Sequence, residues 1–392
     1  MEVPLLDLRA QYATIKEKIR AAVDEVFESQ RFVLGAQVSA LEEEVAQLCG
    51  AKFAVGVASG TDALLLSLKA LGVGPGDSVI TVPFTFFATA GAIVNLGARP
   101  VFVDIQDTGY AMDPERLSSF LVRECTYNLT THRLVHKSTN STVKALLPVH
   151  LYGQCADMDE ILAIARRFDL PVVEDACQAL SATYKGRAAG AMGDLGCFSF
   201  FPSKNLGGAG DGGMVISSNQ QLADRVRLLR THGAHPKYCH AIVGFNSRLD
   251  ELQAAVLRVK LPYLRPWSEA RLENAMRYGK DFEEAGLISP VTPPAVLADR
   301  SHIFHQYVIR CRMRDALQAS LKARSVGTEI YYPVSLHEQE CFRYLGYSAG
   351  DLPRSHAASK ETLALPIYPE LADEQRSYVV RSIATFYQEN KY

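Results

Sequence analysis

Apolar residues recur at helical spacing near the start of the chain: Ile15, Ile19, Ala22, Val23, Val26 and Phe27, and then, past Gly35, Val38, Leu41, Val45 and Leu48. This period predicts two amphipathic helices, whose stripes are read as core or subunit contacts rather than as docking faces for a foreign partner. Beyond them the pattern changes. Short apolar runs at 54–58, 78–82, 101–105, 145–150 and 171–174 alternate with helical stretches at 63–71, 85–96 and 158–168. Strand–helix alternation of this kind predicts a mainly parallel sheet covered by helices on both faces.

Two further strands are expected at 197–201 and 214–217, separated by the glycine-rich stretch 207–213, with a helix at 222–229. A long helix is expected from 249 to about 264, broken near Pro262 and Pro266, because proline lacks the donor that a helix interior needs. The rest, including a strand at 307–311, reads as a smaller lobe. The expected organisation is thus a large α/β domain over 1–250 and a smaller α/β domain over 251–392. The polar stretch 125–142 has weak periodicity and is expected to be a surface loop.

Composition narrows the function classes. The 392 residues are 48% hydrophobic, enough for a large core, and 41 basic side chains nearly cancel 43 acidic ones. Neither nucleic acid nor a membrane surface is expected as a partner. The N-terminus shows no basic leader followed by an apolar stretch, so the cytoplasm is the expected compartment. Eight cysteines stand singly, without a CxxC pair, and are read as reduced thiols.

Three segments carry candidate chemistry. In residues 199–213, Lys204 follows an apolar strand and precedes small residues that let the backbone approach a ligand, so its amine could form an imine with an aldehyde. A strand ending in Glu174 and Asp175 places acids at the carboxyl edge of the sheet, where a carboxylate could hold a proton on a pyridine nitrogen. A strand turning through Gly60 into a helix at Thr61 and Asp62 offers backbone N–H groups and a dipole to a phosphate. Each segment alone also has a plainer reading: a solvated lysine, a salt-bridged acid, an ordinary helix cap. Together, and in this order, they are the layout a pyridoxal-phosphate site requires.

The chain resembles the nucleotide-sugar aminotransferases of pyridoxal-phosphate fold type I, the DegT/DnrJ/StrS family. The resemblance runs from PLLDLRAQY through ASGTDAL, GPGDSVITVPFTFFAT, LYGQCADMD, VVEDACQA and SFFPSKNLGG to GFNSRLDELQAA and YYPVSLH. It implies the type I fold, with a mainly parallel seven-stranded sheet, and pyridoxal 5'-phosphate as cofactor, passing through pyridoxamine phosphate. It implies that Lys204 carries the cofactor and moves the proton, and that Asp175 pairs with the ring nitrogen. By the same resemblance Phe86 stacks on the ring, Gln178 lies on its hydroxyl side, and Gly60, Thr61 and Ser199 hold the phosphate. Asn246 would reach the phosphate of a partner subunit, implying a homodimer with shared sites, while Arg248, Tyr332 and His337 would face the substrate.

Relatives that dehydrate a keto-sugar lack the lysine, so Lys204 favours transamination, with glutamate as the expected donor. LYGQCADMD and VGFNSRLDELQAA look closest to the branch acting on UDP- or dTDP-linked 3-oxo sugars; amination at carbon 4 is the alternative within the family. The motif YYPVSLH departs from the family pattern, with Ser335 at a common proline and Tyr331 at a common histidine. Two readings from other classes compete. One is a metal site in HGAHPKYCH, built from His232, His235, Cys239 and His240, against which stands the lack of a second regular ligand pair. The other is a non-enzymatic regulator that kept the fold, which would need neither Lys204 nor Asp175. No metal is expected.

Overall fold

A computed structural model describes residues 1–130 and 133–390. The strands of the large sheet are β1 (Phe53–Val57), β2 (Asp77–Thr81), β3 (Arg99–Phe102), the hairpin β4 (Cys125–Asn128) and β5 (Arg133–His136), β6 (Ser141–Leu146) and β7 (Val173–Asp175). A short hairpin, β8 (Thr183–Tyr184) and β9 (Arg187–Ala188), precedes β10 (Leu195–Ser199) and β11 (Gly213–Ser217). The parallel bridges Leu146–Val172 and Val149–Asp175 join two hydrogen-bonded groups into one sheet, in the order β1-β11-β10-β7-β6-β2-β3. Only β11 runs against its neighbours in this seven-stranded order, pairing antiparallel with both β1 and β10.

The strand period of two sorts side chains into two cores. Ala54, Ile80, Leu146, Val172, Phe198 and Met214 face one of them, together with Val38, Leu41 and Val45 of α2 (Ala36–Cys49). Val55, Val79, Ala145, Val173, Cys197 and Val215 face the other, with Leu66 and Leu68 of α3 (Gly60–Ala70) and Val226 of a later helix (Gln220–Arg230). Both faces are therefore covered, as the alternation in the sequence predicts. The first helix, α1 (Leu8–Ser29), instead packs on the helix Glu251–Lys260. Glu251 opens that helix and accepts from the N–H groups of Gly35, Gln37 and Val38 at 2.6, 2.9 and 3.0 Å. A buried carboxylate thus closes the positive end of α2.

Two expectations need correction. The stretch 125–142 is not a plain surface loop, because β4 and β5 extend the sheet beside β6. Leu134 and His136 alternate inward there, a signal too short to stand out among polar neighbours; residues 131 and 132 lie outside the described residues. The helix near Pro262 gives way to a 3₁₀ turn, Leu261–Tyr263, and then resumes as Leu264–Glu284. Pro266 sits in the first turn of the new helix, where its missing N–H would have no intrahelical partner anyway.

A third core gathers Tyr278 and Phe282 of that long helix, Tyr307 and Ile309 of the strand Tyr307–Cys311, Leu363 of the strand Thr362–Leu365, and Val379 and Ile383 of the last helix, Asp373–Glu389. Val3 joins it across the chain: its carbonyl accepts from Gly327 N–H at 2.8 Å.

Candidate active site

At the carboxyl ends of β7 and β10 lies a cavity of about 450 Å³ whose wall includes Gly60, Thr61, Phe86, Asp175, Gln178, Ser199, Lys204 and Tyr332. Strand alternation decides which of the two neighbouring acids serves it. Asp175 turns into the cavity, 5% exposed, while Glu174 is fully buried on the opposite side. There Glu174 accepts from Gly190 N–H at 2.8 Å and Met192 N–H at 2.6 Å, and pairs with His150 Nε2 at 2.7 Å. Ala156 N–H occupies His150 Nδ1 at 3.1 Å, so the proton of that ring sits on Nε2. Glu174 is thus a fastening for the 189–193 turn.

Asp175 is oriented by Thr89, whose hydroxyl donates to Oδ2 at 2.7 Å, and by Cys177 N–H at 3.3 Å from Oδ1. Lys204 enters from the turn after β10. Burial pushes its ammonium below the ordinary lysine range, opposed by the neighbouring Cys177 and Asp175. That turn is tightly held. Lys204 N–H donates to Phe201 O at 2.8 Å, Lys260 Nζ to Gly207 O at 2.7 Å, and Asn205 Nδ2 to Ile303 O at 3.0 Å.

The start of α3 abuts the end of β10 so closely that a Cβ at Gly60 would lie 2.6 Å from Ser199 Cβ. Ser59 caps the helix by accepting from Asp62 N–H at 3.1 Å. On the far wall, Gln178 accepts from Tyr152 N–H at 2.8 Å and donates to the Tyr332 hydroxyl at 3.0 Å. Burial raises that hydroxyl above the ordinary tyrosine range, the bond from Gln178 opposing it, so it stays protonated. The Phe86 ring is 55% exposed at the mouth, 6.1 Å from the Tyr332 ring.

Three predicted residues are placed elsewhere. His337 is 1% exposed, its Nδ1 within 2.9 Å of Ser335 Oγ, and it does not line the cavity. Asn246 is exposed and Arg248 half-buried, both outside the cavity wall. The wall also holds residues that the sequence reading did not single out as contacts, namely Ser59, Ser203, His305, Gln306 and Tyr331. Thr89 had a readable signal, since it closes the TFFAT motif on which the resemblance draws, and it sits in the first turn of the helix Ala88–Asn95. His305 and Gln306 had none, being a histidine and a glutamine before an unremarkable strand. Among the described residues no group of three or more His, Cys, Asp or Glu side chains could hold a metal.

This geometry fits pyridoxal phosphate. An amine and a carboxylate share the cavity, a flat ring stands at its mouth, and the Gly60–Ser199 contact leaves backbone where a side chain would otherwise intrude. Lys204 would hold the aldehyde carbon, Asp175 the ring nitrogen, and the start of α3 with Ser199 the phosphate.

Known proteins resemble the chain over nearly its whole length. A curated relative from Geobacillus stearothermophilus, a "pleiotropic regulatory protein", is 48% identical over 99% of both chains. The UDP-N-acetyl-3-dehydro-alpha-D-glucosamine 3-aminotransferase of Acidithiobacillus ferrooxidans is 42% identical over 95% of both. The crystal structure of DesV from S. venezuelae, in complex with a ketimine intermediate, superposes with a TM-score of 0.90 at 38% identity and 98% coverage of both chains. The sequence profile of the DegT/DnrJ/EryC1/StrS aminotransferases matches residues 13–384. The chain belongs to the DegT/DnrJ/EryC1/StrS aminotransferase family, and with it to the pyridoxal-phosphate-dependent sugar aminotransferases of fold type I.

Proposed function

We propose that this protein aminates a UDP- or dTDP-linked 3-oxo sugar, with glutamate as the amino donor. The observation that carries the reading is the meeting of Lys204 and Asp175 in one cavity, beside the close contact of Gly60 with Ser199. Bound pyridoxal phosphate supplies an electron sink for the pair left when a proton leaves carbon. Lys204 Nζ takes that proton from Cα of the donor and later delivers a proton to the sugar carbon that receives nitrogen. Because burial lowers its affinity for protons, the amine is available as a base nearer neutrality than a solvated lysine would be. Asp175, oriented by Thr89, faces the ring nitrogen and so maintains the sink. The Tyr332 hydroxyl, fixed by Gln178, offers a neutral donor toward the substrate.

The protein acts as a cytoplasmic homodimer in this reading, with Asn246 and Arg248 reaching the partner's cavity; their position outside their own cavity wall supports it. No helix among the described residues is long and apolar enough to cross a membrane. The 3-oxo preference draws on the named activity of the Acidithiobacillus relative. A second reading, a regulator that retains the fold, draws on the name of the Geobacillus relative.

The deciding experiment incubates the holoenzyme with glutamate and UDP- or dTDP-linked sugars oxidised at carbon 3 or carbon 4, with mass spectrometry of the products. An amino sugar from the 3-oxo substrate is expected. Product only from 4-oxo sugars moves the site of amination, and no product from any of them leaves the regulatory reading standing.

A further inference from the structure

Two polar atoms in the cavity wall have no hydrogen-bond partner among the described residues. His305 is 7% exposed and lines the cavity, and its Nδ1 is sealed from solvent with no hydrogen bond among the described residues. Gln306 lines the same wall, and its Oε1 is sealed and unpartnered too. A buried polar atom left unpaired costs about 1–3 kcal/mol, so Gln306 Oε1 marks a place where a ligand completes the wall's bonding, while the sealed His305 Nδ1 leaves the other ring nitrogen to serve the cavity.

The backbone that carries them is fixed. Arg271 Nη1 donates to Phe304 O at 3.2 Å and to Ile367 O at 2.8 Å, and a Cβ at Gly153 would lie 3.0 Å from His305 N. The pair cannot retreat to find other partners.

Their chemistry follows from their surroundings. A buried bare acceptor is tolerated better than a buried unpaired N–H, which assigns the imidazole proton to Nε2. Burial, with the charges of Lys204 and Arg271 nearby, holds the ring well below the ordinary histidine range, so it is neutral. His305 therefore offers one N–H. The Gln306 side chain hydrogen-bonds the Tyr331 hydroxyl, leaving its Oε1 as a free acceptor. A donor beside an acceptor matches a hydroxyl or an N-acylamino group, each of which can both donate and accept. A carboxylate only accepts, and would leave Gln306 Oε1 facing negative charge.

We propose that His305 and Gln306 form the sugar-reading wall of the site. The His305 ring N–H donates to a substituent oxygen of the sugar, and Gln306 Oε1 accepts a hydroxyl or amide hydrogen from the same sugar. This deepens the sugar-amination reading and rests on it. The pair serves the sugar half of the reaction and not the amino-acid half.

Two probes start from the same enzyme form and report through the same change in visible absorbance: L-glutamate, and UDP-linked 3-amino-3-deoxy-N-acetylglucosamine run against the direction of amination. H305F keeps a flat ring without an N–H, and H305Q restores an N–H at similar reach. H305F is expected to raise the KM for the amino sugar roughly tenfold or more and to leave the glutamate reaction within about twofold, with H305Q recovering most of the loss. Calorimetric affinity for UDP-N-acetylglucosamine, which needs no turnover, falls in the same order. Equal loss with both probes, or unchanged calorimetric affinity in H305F, overturns the proposal. A wild-type protein that reacts with glutamate, but with neither this probe nor its 4-amino counterpart, overturns the sugar-amination reading beneath it.

Discussion

The Thr89 hydroxyl donates to Asp175 Oδ2 at 2.7 Å, and Thr85 Oγ1 lies 3.0 Å behind it. Since Thr89 spends its one proton on the carboxylate, the Thr85 hydroxyl is the donor to Thr89, and the two form a short relay that fixes Asp175. A hydrogen bond to a charged group contributes about 1.5–3 kcal/mol. T89V keeps the shape and removes the donor. Its kcat/KM is expected to fall roughly tenfold with the fold intact, measured by steady-state kinetics beside circular dichroism. T89S, which keeps the hydroxyl, should recover most of the activity.

Gly60 cannot carry a side chain without moving the start of α3 away from Ser199. G60A therefore displaces the backbone N–H groups expected to hold the cofactor's phosphate. The dissociation constant for pyridoxal phosphate, titrated into the apo-protein by fluorescence, should rise about tenfold or more, while K204A should retain phosphate binding and lose the visible band.

The sequence makes the sheet legible because both of its faces are buried, so strands appear as apolar runs that helices interrupt. The cavity is legible for a related reason: Gly60, Asp175 and Lys204 sit where strands end, and strand ends are punctuated by glycines, acids and turns. The 125–142 hairpin is not, since a four-residue strand carries only two inward side chains, Leu134 and His136. The wall at His305 is not either, because what places His305 there is the grip of Arg271 on backbone carbonyls, which leaves no trace in local pattern. The departure at Ser335 becomes intelligible only in three dimensions. Its hydroxyl lies 3.2 Å from Pro83 O and 2.9 Å from His337 Nδ1, tying the motif to the segment before Phe86.

Lys260 is buried, and its Nζ donates to Gly207 O at 2.7 Å, in the turn that carries Lys204. Gln253, two helical turns earlier, accepts from Ala209 N–H at 2.7 Å. K260M removes a bond but also removes a buried ammonium whose desolvation is costly, and burial already lowers the proton affinity of that amine. The two effects oppose, so the melting temperature should move by only a few degrees. The turn nevertheless loses a fastening, and kcat is expected to drop several-fold. Unchanged kcat would show that Asn205 and Gln253 suffice to place Lys204.

Acid should destabilise the protein through His302 and His305. Burial lowers His302 to about 3, with its Nδ1 accepting from Phe304 N–H at 3.0 Å, and His305 is also held well below its ordinary range. Unfolded, both titrate near 6.5. Below that pH the unfolded chain binds protons that the folded chain refuses, so stability rises with pH there and falls as pH drops from about 6.5 toward 4. Each fully charged histidine contributes about 1.4 kcal/mol per pH unit to that slope. Thermal melts between pH 7 and 5 should show a falling midpoint, and H302N, which removes one titrating group and keeps a short polar side chain, should show a shallower fall. An identical slope in H302N would mean that His302 takes up its proton in the folded state, with Phe304 N–H forced to give up its acceptor.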